Sequence, residues 1–258
     1  MKVLIHKEKR QIVDGREYIV AKGKQYFITD FSKDVGTLYG TVAKEDLSKP
    51  SGSVIKTKDT GKEFVLIDAG FIDIYKRIRK LPQTIPLKDI GLIIGETGIN
   101  KESICVDGGL GSGALASALA NITKHVTSYD IREDCIKTSE GNIKKLGLSN
   151  ITIKMKSLYD GIDEKEVDLI TLDVPEPWKV IQHAAKALKI GGWLVSYSPS
   201  VPQVQDFVAE LHKNEQLLYL KTVELIERLW EIEGRRVRPK STGIGHSGFL
   251  TFARKIKS

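Results

Sequence analysis

The sequence predicts an α/β fold, in which a mostly parallel sheet with an antiparallel last strand is accompanied by a small N-terminal β domain. Before residue 78, short runs that alternate apolar and polar residues are separated by turn signals. Beyond it, apolar strands alternate with helical segments, which is typical of a parallel sheet with helices on both faces. The length of 258 residues fits a main domain with a smaller one. We therefore expect a β-barrel-like module at 1–78 and the α/β domain at 79–258.

The predicted strands of the first module are short and closely spaced. Three of them are the runs 17–20, 25–28 and 63–67, and turn signals such as Asp14-Gly15 and Thr60-Gly61 lie between them. Strands at this spacing favour a small barrel or a sandwich.

The α/β domain is predicted from a regular alternation of elements. They are, in order, strand 103–107, helix 114–120, strand 126–130, helix 132–146, strand 151–155, strand 167–173, helix 175–188 and strand 192–197. After Pro202 one more helix leads to two strand-like segments, 217–227 and 249–254, which we expect to close the sheet as an antiparallel pair. Such sheets bind ligands at the carboxyl ends of the strands, where the strand order reverses.

Composition excludes several classes of protein. With 41% hydrophobic and 28% charged residues, the chain can form a sizeable core, and wholesale disorder is not expected. The most apolar stretch, 104–123, contains Asp107 and four glycines, so no membrane span is predicted. The first residues are too few and too charged for a secretory signal. Only two cysteines, Cys105 and Cys135, are present, which predicts no metal site and a reduced, cytoplasmic compartment.

Charge is unevenly distributed along the chain. Residues 1–80 hold 17 basic and 11 acidic side chains, 81–233 hold 16 and 22, and 234–258 hold 7 basic side chains and no acidic one. Two basic ends around an acidic centre favour a polyanionic partner. A solvated basic tail is the simpler alternative.

A glycine-rich segment follows the first predicted strand of the α/β domain, where residues 107–114 read DGGLGSGA. Glycines there let the backbone approach a ligand closely, and the helix that follows offers free N–H groups. The segment fits both the G-x-G-x-x-A form of dinucleotide-binding loops and the G-x-G-x-G loop of S-adenosylmethionine (SAM) methyltransferases. Asp130, about 20 residues on, ends the next strand, where either cofactor would place its ribose hydroxyls. The segment alone leaves NAD, SAM and a merely structural turn open.

A second candidate is the run 172–178, which reads LDVPEPW. Asp173 ends a predicted strand and therefore points to the ligand crevice, and the two prolines that follow stiffen the loop. A rigid carboxylate beside the aromatic Trp178 suits a planar base whose exocyclic amine must be held. The alternative is an ordinary turn with Trp178 in the core. The acids at 160, 163, 164 and 166 are predicted to be only solvated.

The third candidate is the basic segment 235–248, which reads RRVRPKSTGIGHSG. Cations, hydroxyl groups and glycines in one loop favour contacts to phosphates. His246 is the one histidine singled out here, and a structural loop histidine is its alternative interpretation.

Together these motifs resemble the tRNA (adenine-N1)-methyltransferases that act on the T-loop adenine (the m1A58 type), in their archaeal form. The resemblance covers nearly the whole chain. Besides the glycine loop and LDVPEPW, it rests on the runs 83–89 (QTIPLKD), 128–134 (SYDIRED), 188–192 (LKIGG), 197–199 (YSP), 238–240 (RPK) and 246–255 (HSGFLTFARK).

The resemblance implies a Rossmann-like SAM-dependent methyltransferase domain, and it favours SAM over NAD. It implies methyl transfer to N1 of adenine 58 in tRNA, with adenine 57 as a second candidate, by a cytoplasmic homotetramer that has no metal. It implies a catalytic role for Asp173, which would also contact SAM. The other implied SAM contacts are Asp107, Gly109, Leu110, Gly111, Ser112, Gly113, Asp130, Ile131, Ser157 and Leu158. The implied substrate contacts are Gln83, Tyr197, Arg238 and His246.

Three departures from the family pattern accompany this resemblance. The family usually has Glu-Ala-Gly where this chain has Asp107-Gly108-Gly109, Ser157 stands where an acid commonly meets the adenine amine of SAM, and Pro86 stands at the place of an aromatic pocket residue. Two alternatives follow: an RNA-binding subunit with a relic fold, and a methyltransferase for a substrate other than tRNA. An NAD oxidoreductase would need a catalytic Tyr-Lys or His-Asp arrangement, which we do not find in the sequence.

Overall fold

The computed structural model describes residues 1–233 and 235–258. They form two compact units, one of Met1–Arg77 with Glu233–Arg235 and the other of Ile78–Ile232 with Arg236–Ser258, and each is described by itself. The expected module boundary after residue 78 stays a prediction.

The first unit is built from short antiparallel strands. Its four-stranded sheet has the order β4-β1-β8-β7, and β2–β3 and β5–β6 form separate two-stranded ribbons. Alternation in β8 turns Phe64 and Leu66 into the core, where they lie with Leu4 and Leu47. The elements are β1 (Lys2–His6), β2 (Lys9–Val13), β3 (Arg16–Ala21), β4 (Lys24–Ile28), β5 (Val35–Thr37), β6 (Gly40–Val42), a 3-10 helix (Lys44–Ser48), β7 (Val54–Lys56), β8 (Glu63–Asp68) and α1 (Phe71–Tyr75).

The second unit alternates strands and helices. Its elements are α2 (Leu87–Thr97), β9 (Ile104–Gly108), α3 (Ala114–Ala120), β10 (His125–Asp130), α4 (Glu133–Leu146), β11 (Ile151–Met155), a 3-10 turn (Leu158–Asp160), β12 (Val167–Leu172), a 3-10 turn (Pro177–Val180), α5 (Ile181–Ala187), β13 (Leu188–Ser198), α6 (Val201–Lys213), β14 (Leu217–Glu224), β15 (Trp230–Glu233), β16 (Arg236–Pro239) and β17 (Phe249–Lys255).

A seven-stranded sheet organises this unit and confirms the predicted fold class. Its order is β11-β10-β9-β12-β13-β17-β14. The first five strands are parallel, and β17 runs antiparallel to both β13 and β14. Central strands such as β12 are almost wholly buried because helices cover both faces. The order reverses between β9 and β12, which is where such sheets bind ligands.

The two largest differences from the predicted bounds concern the residues at which two elements begin. The helix expected from residue 175 begins as a 3-10 turn at Pro177 and becomes α5 only at Ile181. A proline disfavours the α-helical conformation in the residue before it, and Glu176 has φ −128° and ψ 66°. Strand β13 begins at Leu188 rather than at Gly192, since it pairs with the start of β12 across a register shift. No helix among the described residues is long and apolar enough to cross a membrane.

Candidate active site

A cleft of about 370 Å³ opens at the carboxyl ends of the parallel strands. It brings together most of the residues that the sequence singled out. The predicted residues that line it are Gln83, Gly109, Leu110, Gly111, Ser112, Asp130, Ile131, Ser157, Leu158 and Asp173. Ile131 is 65% exposed, so the cleft offers an apolar surface that a bound ligand would cover.

Gly109 brings the glycine loop against the loop after β12. Its φ is +91°, and a Cβ there would lie 2.1 Å from the carbonyl oxygen of Asp173. The backbone N–H of Asp173 donates to the Gly108 carbonyl oxygen at 2.7 Å. The two loops therefore meet backbone to backbone, and only a glycine permits this approach. The result is a cradle beside the Asp173 carboxylate.

The Asp130 carboxylate lies at the end of β10, beside the same loop. Its Oδ2 accepts from the N–H of Gly111 at 3.0 Å and its Oδ1 from the N–H of Arg132 at 2.9 Å. Each carboxylate oxygen has a further lone pair, and the side chain is only partly buried. Asp130 can therefore accept hydrogen bonds from a diol in the cleft while it also caps the turn before α4.

Asp107 lies behind the cleft and does not line it. Its carboxylate is buried and accepts from the hydroxyl of Ser128 at 2.6 Å and from that of Thr171 at 3.0 Å. Burial raises the pKa of Asp107 to about 6. Asp107 therefore ties β9 to both neighbouring strands beneath the glycine loop, and its predicted direct contact to a cofactor stays a prediction.

Asp173 is the carboxylate that the cleft leaves open. Burial, with the nearby charge of Asp107, raises the pKa of Asp173 to about 7. Among the hydrogen bonds of the described residues, none ends on its side-chain oxygens. A carboxyl group that titrates near neutrality and keeps free lone pairs can accept a hydrogen bond from a ligand.

The wall after β11 contains two residues that sequence reasoning missed, Lys156 and Tyr159. The Ser157 hydroxyl accepts from the N–H of Tyr159 at 3.1 Å, and the Tyr159 hydroxyl accepts from the N–H of Glu176 at 3.1 Å. Tyr159 thus connects the loops that follow β11 and β12. In the sequence, the only indication that Tyr159 lines the cleft is that it is an aromatic residue in a loop that follows a strand.

An ion-pair network holds this wall in place. The ammonium group of Lys154 contacts Glu164 at 2.6 Å and Asp163 at 3.0 Å. The Tyr129 hydroxyl donates to Glu164 at 2.5 Å. The interpretation of Asp163 and Glu164 as only solvated is therefore wrong. Asp163 also contacts Lys156 of the same loop at 2.5 Å. The other partners, Lys154 and Tyr129, lie on β11 and β10, and the sequence of the loop alone does not reveal them.

Several predicted residues lie outside the lining of the cleft. Gly113 caps α3, and Tyr197 is buried, with its hydroxyl donating to the Ser247 carbonyl oxygen at 2.6 Å. His246 contacts Glu224 at 2.6 Å, and Arg238 donates to Glu231 at 2.9 Å. For these four residues the predicted direct contacts stay predictions.

Pro86, the other departure near the cleft, lies at the N-cap of α2. Its neighbour Ile85 lines the cleft and is 5% exposed. An aliphatic side chain therefore occupies this edge of the cleft.

Comparison with known proteins shows the family to which the chain belongs. The model of a family described as "tRNA methyltransferase complex GCD14 subunit" matches residues 78–238. A tRNA (adenine(57)-N(1)/adenine(58)-N(1))-methyltransferase TrmI from Methanocaldococcus jannaschii is 35% identical over 263 residues, covering 90% of this chain and 92% of its own. The chain therefore belongs to the family of tRNA (adenine-N1)-methyltransferases. A tRNA (adenine(58)-N(1))-methyltransferase TrmI from Thermus thermophilus is 27% identical over 92% of this chain and 95% of its own.

Solved structures agree with the methyltransferase fold. A SAM-dependent O-methyltransferase from Thermotoga maritima is similar over 100% of this chain and 93% of its own, with a TM-score of 0.80 and 28% identity. The tRNA (m1A58) methyltransferase TrmI from Aquifex aeolicus covers 100% of this chain and 98% of its own, with a TM-score of 0.76 and 22% identity. Membership in the methyltransferase family also resolves the choice that the glycine loop left open, because it favours SAM over NAD.

Proposed function

We propose that this methyltransferase transfers a methyl group from SAM to N1 of a T-loop adenine in tRNA, at position 58 and also at position 57. The observation that carries the proposal is the open Asp173 carboxylate beside the glycine loop, in a chain 35% identical over 90% of its length to an adenine-57/58 enzyme. The relic alternative is not favoured, because both the loop and Asp173 are present.

The residues of the cleft fit SAM. The cradle at Gly109 has no room for a side chain, as expected where a ligand passes close to the backbone. Asp130 has lone pairs for the ribose hydroxyls, while Ile131 and Leu158 offer apolar surface to the adenine ring. Ser157 supplies a hydroxyl in place of the acid that is common in the family. When bound, SAM supplies an electrophilic methyl group.

Asp173 would position the acceptor. N1 lies on the Watson–Crick edge of adenine, so the base must leave its stack before it can enter the cleft. The Asp173 carboxylate would accept a hydrogen bond from the exocyclic N6 amine, which places N1 toward the donor. It would also stabilise the positive charge that develops on the ring. Since no strong acid is needed, we expect positioning to supply most of the rate.

The RNA would be held by basic surfaces outside the cleft. Arg238 and His246 are exposed on the segment between β14 and β17, and the last 25 residues hold 7 basic side chains and no acidic one. We propose that a cytoplasmic homotetramer binds tRNA through such surfaces. Exposed apolar residues such as Ile12 (74%) and Ile232 (69%) give subunits surface to bury.

The proposal is tested with SAM labelled in its methyl group and an unmodified tRNA transcript. We expect label in the transcript, reduced when adenine 58 is replaced and lost when adenines 57 and 58 are both replaced. Label that stays the same after both replacements would contradict the assigned position. The matched control is a replaced adenine elsewhere in the same transcript, which should leave the label unchanged.

A further inference from the structure

The segment 226–246 leaves the sheet after β14 and returns before β17. It carries the β15–β16 hairpin and five basic residues against three acidic ones. This is the segment in which the proposed tRNA contacts are concentrated. Contacts at its two ends can therefore fix how it leaves and rejoins the sheet.

One buried ammonium group holds both ends of this segment. Lys88 Nζ donates to the Leu225 carbonyl oxygen at 2.7 Å and to the Ser247 hydroxyl at 2.6 Å. Leu225 immediately precedes the segment and Ser247 immediately follows it. The same ammonium contacts the Asp89 carboxylate at 2.7 and 2.9 Å. The side chains of Lys88 and Asp89 are only 10% and 1% exposed.

Ser247 also connects this ion pair to Tyr197 on β13. Its hydroxyl donates to Asp89 at 2.9 Å, and its carbonyl oxygen accepts from the Tyr197 hydroxyl at 2.6 Å. A Cβ at Gly248 would lie 2.4 Å from the Tyr197 ring, so this turn packs directly on the ring. Burial and the charges of Asp89 and Asp173 raise the pKa of Tyr197 to about 12.

A buried ion pair is weak evidence of a stabilising role, since well-packed apolar side chains in its place often leave a protein equally stable. What an apolar pair could not do is bind a carbonyl oxygen and a hydroxyl group at the two ends of one segment. The geometry therefore favours positioning over stability as the role of this pair.

We propose that Lys88, Asp89 and Ser247 form a clamp that fixes the base of the 226–246 segment, so that tRNA bound there presents its adenine to Asp173. These three are positioning residues, and none of them touches the reacting atoms. The inference rests on the proposed function, because the proposed function is what places tRNA on the 226–246 segment.

The clamp is tested with Ser247→Ala, which leaves the Lys88–Asp89 pair intact and removes one end of the segment from it. We expect kcat/KM for tRNA to fall by about tenfold, because a small misalignment of the reacting groups lowers the rate. The Kd of S-adenosylhomocysteine should change less than about twofold. Hydrogen exchange of amides in 226–246 should accelerate. Ser247→Thr, which keeps a hydroxyl, should restore both readouts, and Ser149→Ala, at an exposed site after α4, should alter neither.

A second variant, Lys88→Met combined with Asp89→Asn, removes the ammonium without leaving an unpaired charge. It should resemble Ser247→Ala in both readouts, and adding Ser247→Ala to it should have little further effect. If folded Ser247→Ala protein shows the wild-type rate of hydrogen exchange in 226–246 and the wild-type kcat/KM for methyl transfer to tRNA, the clamp proposal is wrong. If the wild-type protein transfers no methyl group to tRNA, the proposed function fails, and hydrogen exchange still decides whether the clamp exists.

Discussion

Asp173 shows how residue chemistry is set by its surroundings. It follows a buried strand and lies near the buried carboxylate of Asp107, and no hydrogen bond from the described part of the chain ends on its side-chain oxygens. Its pKa is raised to about 7 by burial and by Asp107, so the group is half ionised near neutral pH. Only the ionised form accepts hydrogen bonds at both oxygens without a competing proton.

Replacing Asp173 with Asn should therefore separate binding from turnover. We expect Asp173→Asn to retain S-adenosylhomocysteine binding and to lower kcat by at least about tenfold, since an amide carries no charge to stabilise the ring cation. In the wild type, kcat/KM should rise as pH increases through about 7 and then level off, because the raised pKa leaves the acid protonated below it. Normal turnover by the Asn variant would contradict this role.

Gly109 provides a second prediction at this scale. Gly109→Ala would place a methyl group 2.1 Å from the Asp173 carbonyl oxygen at a φ of +91°, so we expect calorimetry to detect no S-adenosylhomocysteine binding. The control is Gly141→Ala on the exposed face of α4, where a Cβ meets nothing within 4 Å. That change should leave binding intact and stabilise the helix by up to about 1 kcal/mol. Normal binding by Gly109→Ala would refute the cradle.

At the scale of elements, the loop after β11 depends on Lys154. Although burial opposes it, hydrogen bonds from Lys154 and Tyr129 hold the pKa of Glu164 below its ordinary value. Because the pKa is lowered in the folded state, the ionised Glu164 and its hydrogen bonds raise the free energy of unfolding at neutral pH. This contribution should be lost as the pH falls below the ordinary pKa of a glutamate, about 4.3, and through the lowered pKa of the folded state.

Lys154→Met should loosen that loop. We expect the free energy of unfolding to fall by about 1–2 kcal/mol and S-adenosylhomocysteine binding to weaken, because Ser157 and Tyr159 lie on the loop. Denaturant unfolding and calorimetry measure the two effects. Lys165→Met, at an exposed position of the same loop, is the control. Equal behaviour of the two variants would show that the network does not support the cleft.

The sequence predicted elements well where local pattern and tertiary environment agree. Helix α3 (Ala114–Ala120) and strand β11 (Ile151–Met155) have the predicted bounds. The helix near Pro175 begins later because Pro177 disfavours the α-helical conformation at Glu176. The roles of Glu164 and Lys88 depend on partners that are distant along the chain, Tyr129 for the first and Leu225 and Ser247 for the second, and no local pattern contains that information. The residue pattern predicted the cleft itself because parallel strands bring their carboxyl ends together.

At the scale of the whole molecule, charge governs the expected contact with RNA. Both basic ends of the chain should make tRNA binding sensitive to salt, with at least a tenfold loss of affinity between about 50 and 200 mM. Arg238→Gln should reduce the slope of log K against log salt by about 1. Lys213→Gln, on α6 in the acidic part of the chain, is the control and should leave the slope unchanged. Salt-independent binding would refute an electrostatic contact.

Assembly is the second prediction for the whole molecule. Light scattering should give a mass of about 115 kDa, that of four copies of the 28.7-kDa chain. Exposed apolar residues on the β2–β3 and β15–β16 ribbons would be buried between subunits. A mass that stays at that of one chain across the working concentration range would refute the homotetramer.

The most direct measurement of the central claim is the identity of the methylated nucleoside. Unmodified tRNA is incubated with the protein and SAM, digested to nucleosides and analysed by mass spectrometry against authentic standards. The account predicts N1-methyladenosine, formed by the wild type and at least about tenfold more slowly by Asp173→Asn. A different methylated nucleoside, or none from protein that binds S-adenosylhomocysteine, would contradict it.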